Sequence, residues 1–258
     1  MFLKISRTPH GHAALAIVAA GLLAGCASLA PTGPAPVEVG LSPWAAPAGR
    51  PHASAWQHYK LPGKTASHFE YARNEGRDTL AVNADSSASM VRRKLSIAPD
   101  QLGRVRFSWK VPELIAQADV ALRDADDSPV RIVLAFEGNR SRFSARDAML
   151  SELSLALTGE EMPYATLMYV WCNHRAPGSV VNSPRTDRIR TLVVESGPRR
   201  LNQWLDYERN IRADFEHAFG EAPGALVGIA IMTDSDNTRS TTRAWYGPVS
   251  LAPAQALK

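Results

Sequence analysis

Ala225-Leu-Val-Gly-Ile-Ala-Ile-Met-Thr-Asp-Ser-Asp-Asn237 opens as an apolar strand and closes as a tight acidic loop. Its first eight residues are too short for a typical helix and rich in β-branched side chains, so they read as a buried strand. Asp234, Asp236 and Asn237 then bring side-chain oxygens together where that strand leaves its sheet. A strand that delivers oxygen ligands to a sheet edge is the most site-like feature of the chain.

Working outward, Arg243–Leu251 reads as a following strand. Upstream, Trp204, Ile211, Phe215 and Phe219 share one face of a helix expected over Gln203–Phe219 and stopped by Gly220. Further strands are expected over Arg188–Glu195 and Tyr164–Trp171. Asp147–Leu157 has Met149, Leu150, Leu153 and Leu157 at helical spacing, with Gly159 as its stop. Val130–Phe136 is an apolar strand with Arg131 embedded, and a charge there calls for a carboxylate such as Asp126 or Asp127. Arg104–Val111 alternates strictly, with Val105, Phe107, Trp109 and Val111 on one face, and Pro112 ends it. Thr79–Asp85 and Ser89–Ile97 read as a strand pair. About eight or nine strands with two helices, not in βαβ order, predict a mainly β fold. The expectation is a jelly-roll-like β-sandwich over residues 54–254 with one or two accessory helices.

The amino terminus carries a different message. Lys4 and Arg7 precede the apolar run Ala13–Leu23, which is too short for a permanent span, and Leu23-Ala24-Gly25-Cys26 closes it. This resembles a bacterial lipobox, which implies a signal peptide over 1–25 and lipidation of Cys26. Ala27 after the cysteine favours sorting to the outer membrane, facing the periplasm. Residues 26–53, rich in Pro, Ala and Gly, read as a flexible tether. The expected partner is therefore a membrane, reached through acyl chains on Cys26.

The chain has 258 residues with 29 Lys and Arg against 25 Asp and Glu. Lys4 and Arg7 fall in the signal, which leaves 27 basic against 25 acidic residues. So even a balance gives no electrostatic footprint for nucleic acid. Two cysteines, Cys26 and Cys172, exclude a disulfide framework. The sequence does not speak to oligomeric state.

Phe107-Ser-Trp-Lys-Val111, Asp126-Asp-Ser-Pro-Val-Arg131, Tyr169-Val-Trp171, Trp204 with Arg209-Asn210 and Asp214-Phe215, and above all Val227-Gly-Ile-Ala-Ile-Met-Thr-Asp-Ser-Asp-Asn-Thr238 resemble a bacterial family known as domain of unknown function 3047. The likeness runs from Trp56 to Leu251. It implies a secreted or lipid-anchored protein and brings no assigned activity. Cys172, the Asp147–Leu157 stretch and Tyr246-Gly-Pro depart from the family pattern.

Three kinds of site compete. Asp126, Asp127, Arg131, Asp234, Asp236 and Asn237 could form one oxygen-lined ligand site, with Asp234 and Asp236 as candidate calcium ligands, although no cofactor is required. Calcium takes six to eight oxygens, and the EF-hand pattern fails because Arg239 and Trp245 fall at its sixth and twelfth positions. The competing account is a turn whose Asp and Asn cap their own backbone and pair with Arg131 or Arg243. Second, Trp245 and Tyr246, with other aromatics, could offer flat faces to sugar rings, or simply fill the core. Third, the acidic residues could hydrolyse glycosidic bonds as carboxylate pairs, and Cys172 with His174 forms a thiol–imidazole neighbour pair. No Gly-x-Ser-x-Gly elbow or zinc spacing is present. These features favour non-catalytic binding of a glycan or another envelope component. A polysaccharide hydrolase and a structural assembly partner are the alternatives.

Overall fold

A computed structural model describes residues 56–252 and Ala254. The expected signal, Cys26 and the whole of the tether lie outside the described residues. Thirteen strands and two α-helices are described: β1 (Gln57–Lys60), β2 (His68–Asn74), β3 (Arg77–Asp85), β4 (Ala88–Ile97), β5 (Arg104–Lys110), β6 (Ser128–Phe136), α1 (Ala145–Thr158), β7 (Ala165–Cys172), β8 (Val180–Asn182), β9 (Ile189–Ser196), β10 (Leu205–Asn210), α2 (Ile211–Phe219), β11 (Leu226–Asp234), β12 (Thr241–Tyr246) and β13 (Ser250–Ala252).

The strands form two sheets. One has seven strands in the order β1-β4-β11-β6-β7-β9-β8; the other has six, β10-β5-β12-β3-β2 with β13 added along β5. Every pairing is antiparallel except β7 with β9. The fold is thus mainly β and sandwich-like, as the strand spacing leads one to expect.

Alternation explains the inner layer. Val105, Phe107 and Trp109 of β5 are at most 2% exposed, and Arg104 and Arg106 between them face solvent. From the opposite sheet Ile132, Leu134, Leu167, Tyr169, Ile229 and Ile231 join the same core. Phe107 stacks on Tyr169 at 5.7 Å between ring centres, tying the layers together.

Two segments differ from the reading above. The helix expected over Gln203–Phe219 exists only from Ile211. Before it, Leu205–Asn210 pairs residue for residue with β5, because Leu205, Tyr207 and Arg209 alternate and the sheet offers them partners. Asn210 then caps α2 by accepting from the Ala213 amide at 3.0 Å. The strand expected over Arg243–Leu251 is divided into β12 and β13 where Gly247-Pro248 interrupts it.

Helix α1 is turned inside out. Ser144 caps it by accepting from the Asp147 amide at 3.1 Å, and Gly159 ends it at φ 73°. Its buried residues are Asp147 and Ser151. Asp147 accepts from the Ser144 and Thr186 hydroxyls, and Ser151 accepts from Arg140. Met149, Leu153 and Leu157, by contrast, are 60%, 51% and 63% exposed.

Candidate functional site

Strands β6 and β11 are apolar on both faces, so the outer face of the seven-stranded sheet needs its own cover. Ala88, Val133, Ala230 and Met232 form a buried apolar cluster there, separate from the main core, and Met90, Met168 and Leu61 pack against it. Register places these side chains on adjacent strands: Met90 opposite Met232, Ala230 opposite Val133 and Val133 opposite Met168. Over this floor lies a groove of about 1000 Å³, lined along one side by Leu150, Leu153 and Leu157 of α1. That volume is at the upper end for small-molecule sites.

The two ends of the groove differ. At one, Arg92 donates to Glu160 through two nitrogens at 2.7 and 2.8 Å, and Lys94 donates to the same carboxylate at 2.8 Å. Those bonds hold the Glu160 carboxyl down at about 2. Arg93 between them alternates to the other face of β4, opposite Ile229 of the main core. Two cations thus meet one carboxylate. The groove aromatic Tyr59 lies under Arg92, whose guanidinium is 3.8 Å from the ring centre.

At the other end the acidic residues of two distant segments meet around Arg131. Its Nη2 donates to the Asp126 carbonyl at 2.8 Å and to Asp126 Oδ1 at 2.9 Å, and lies 3.3 Å from Asp234 Oδ2. Burial opposes the Arg131 charge, but the Asp234 and Asp126 carboxylates outweigh it and the net shift is upward. Burial pushes Asp234 well above the carboxylate range, helped by its hydrogen bond to Asp127. Burial also works to raise Asp127. The bonds it accepts from Asp234, Thr238 and Asn237 prevail, and its net shift is downward. A proton on Asp234 shared with Asp127 satisfies both directions.

The candidate residues therefore divide. Asp126, Asp127, Arg131, Asp234, Asp236 and Asn237 come together; Trp245 does not join them, and Tyr246 meets them only from within the core. Tyr246 is a correction: it is fully buried, and its hydroxyl donates to the Met232 carbonyl at 2.5 Å and accepts from the Arg131 amide at 3.1 Å. It therefore offers no ring to a ligand. Trp245 alternates to the outer face of the six-stranded sheet, with Arg243 4.7 Å from its ring centre. Cys172 and His174 do not act as a pair either. The thiol is buried and raised to about 11 by that burial, and His174 lies 3.7 Å from Asp119.

Oxygens of Asp127, Asp234 and Asp236 lie within 4.8 Å of one another, yet the set fits a divalent cation poorly. Asp127 already accepts from the Asn237 amide at 3.1 Å and from the Thr238 amide and hydroxyl at 2.7 and 2.6 Å. Lys64 pairs with Asp236 and Arg131 with Asp234. Two protein cations occupy the place a metal would take, and too few oxygens remain for a calcium shell.

Comparison with known proteins matches residues 54–250 to the family described as "Protein of unknown function (DUF3047)". The chain belongs to that family. No curated protein matches it. Among solved structures, the xyloglucanase domain of NopAA, a type three effector from Sinorhizobium fredii in complex with cellobiose, is similar at 8% identity with a TM-score of 0.34. The match covers 78% of this chain and 99% of that one, and it is too slight to say what this DUF3047 member binds.

Sequence reasoning missed the groove. Its signal was present in the apolar runs Ile132–Phe136 of β6 and Leu226–Met232 of β11, which a one-sided strand would interrupt with polar residues. Lys64, from the loop after β1, is the cation on Asp236 and has no sequence signal that marks it.

Proposed function

We propose that this DUF3047 member is a non-catalytic binding protein of the bacterial cell envelope, held to a membrane through acyl chains on Cys26, and that its ligand lies in the groove over the seven-stranded sheet. The observation carrying this reading is the apolar cluster around Val133, Ala230 and Met232 on the sheet face away from the core. A sheet face not packed on a second layer is ordinarily polar, whereas this one is apolar and floors a concavity. An outer-membrane position facing the periplasm, and a glycan or another envelope component as ligand, belong to the same proposal.

The acidic end does not favour the hydrolase alternative. Glycosidases hold two carboxyl groups on either side of the scissile bond, about 5–5.5 Å or more apart. Here Asp127 accepts from the Asn237 amide and from the Thr238 amide and hydroxyl, and Asp234 is paired with the buried Arg131, so both carboxyl groups are engaged within the fold.

A thermal-shift screen of the full chain against envelope polysaccharides, lysophospholipids and calcium tests the reading. A ligand at a hundred times its Kd stabilises by about 2.7 kcal/mol, worth roughly 5–10 °C for a domain of this size. At least one organic class should reach that shift in the wild type and lose it in Leu153→Glu/Leu157→Glu. Shifts that are absent, or equal in both proteins, contradict the proposal.

A further inference from the structure

Building on the reading of the groove as a binding site, we infer that its ligand is an amphiphile: an acyl chain along the floor with an anionic head at the Arg92–Lys94 end.

The floor and wall argue for the chain. Met90, Val133, Met168, Ala230 and Met232 offer no hydrogen-bond donors, and their only polar atoms are weakly accepting thioethers. Methionine adapts its three torsions to an irregular apolar guest. Sugar rings need stacking faces or paired hydroxyls, and Tyr59 is already covered by the Arg92 guanidinium. The inverted α1 completes the argument. A helix that buries Asp147 and Ser151 while presenting Leu150, Leu153 and Leu157 to the groove leaves apolar surface in water, and a bound chain removes it.

Charge sets the polarity of the ligand. The end built on Asp126, Asp127, Asp234 and Asp236 already holds two cations, Lys64 and Arg131. Its four carboxyl groups outnumber those two cations, which disfavours an anion there. The opposite end sets two cations, Arg92 and Lys94, against the single carboxylate of Glu160, which leaves it one positive charge in excess. From Gly228, opposite Lys94, to Asp234, opposite Ala88, the strand rises roughly 20 Å. The groove is therefore long enough to separate an anchored head from the tip of an extended chain.

Calorimetric titration of the full chain with palmitoyl-lysophosphatidylglycerol, palmitoyl-lysophosphatidylcholine and a soluble glucan oligosaccharide, each lipid below its micelle threshold, tests this. The anionic lysolipid should bind most tightly. Leu153→Glu/Leu157→Glu should weaken both lysolipids at least tenfold with an unchanged unfolding midpoint, because both side chains are more than half exposed. Lys94→Gln should weaken the anionic lysolipid severalfold and leave the choline lipid unmoved. If the oligosaccharide binds, the leucine variant abolishes it and no lysolipid binds, the amphiphile is overturned and the groove stands. Equal binding of both lysolipids, indifferent to Lys94→Gln, overturns the anionic head. If no probe binds, or the leucine variant changes nothing, the amphiphile and the groove reading fall together. A concentration-dependent dimer that the leucine variant abolishes would show a second copy on α1 instead.

Discussion

The Arg131 guanidinium lies 3.3 Å from the Asp234 carboxylate, joining the fourth residue of β6 to the last residue of the neighbouring strand β11. Arg131 is 2% exposed, so its charge depends on the surrounding cluster of Asp126, Asp127 and Asp234. Removing one partner of a buried ion pair strands the other. Arg131→Met should therefore cost about 3–5 kcal/mol, read from urea denaturation at neutral pH. A loss below about 1 kcal/mol, the scale of an exposed pair, would show that the carboxylates are neutral without it.

Asp234 gives this end a pH signature. Its folded pKa is raised by burial, so between the ordinary carboxyl range and that raised value the native state holds a proton that the unfolded chain has lost. Raising pH through the window removes stability. Asp234→Asn cannot ionise, so its stability relative to wild type should improve as pH rises above the ordinary carboxyl range. Asp127, shifted downward, acts oppositely: its contribution is present above the ordinary carboxyl range and is lost on acidification. Denaturation curves across pH that stay parallel for wild type and Asp234→Asn would contradict the shared proton.

Cys172 should be chemically silent. Its thiol is 5% exposed and raised to about 11 by burial, so the nucleophilic thiolate is scarce at neutral pH. Iodoacetamide should leave Cys172 unlabelled in the native protein and label it in urea, as peptide mass spectrometry would show. Native labelling at neutral pH would instead reveal an activated thiol.

These predictions come from parts of the molecule that were unequally legible in its sequence. Strict alternation made β5 readable, because Arg104 and Arg106 mark its wet face against Val105 and Phe107. The meeting of Asp126 and Asp127 with Asp234 and Asp236 followed from a simple demand: Arg131 inside an apolar strand needs carboxylates. Residues 205–210 were misread because Trp204, Ile211, Phe215 and Phe219 suit a helical face, while pairing with β5 decides the matter and is nonlocal. The leucines of α1 were legible as a helix but not as an outward-facing one. Spacing reports which side chains share a face; it does not report what that face meets.

Glu160 links stability and binding at the basic end. Its carboxyl is held at about 2 by Arg92 and Lys94, so its stabilising contribution is present at neutral pH and lost as pH falls toward that value. The pair is partly solvated, with the Glu160 side chain 34% exposed, and Glu160→Gln should cost no more than about 1 kcal/mol. By releasing both cations it should tighten palmitoyl-lysophosphatidylglycerol severalfold, read by calorimetry. Weaker binding would place the head elsewhere.

The most direct test of the groove is methyl NMR of the full chain labelled at its methionine methyl groups, titrated with palmitoyl-lysophosphatidylglycerol. Met90, Met168 and Met232 floor the groove and Met149 does not line it. The three floor signals should move together and saturate at one equivalent, with Met149 unmoved. Floor signals that stay fixed while the lipid binds would contradict the account.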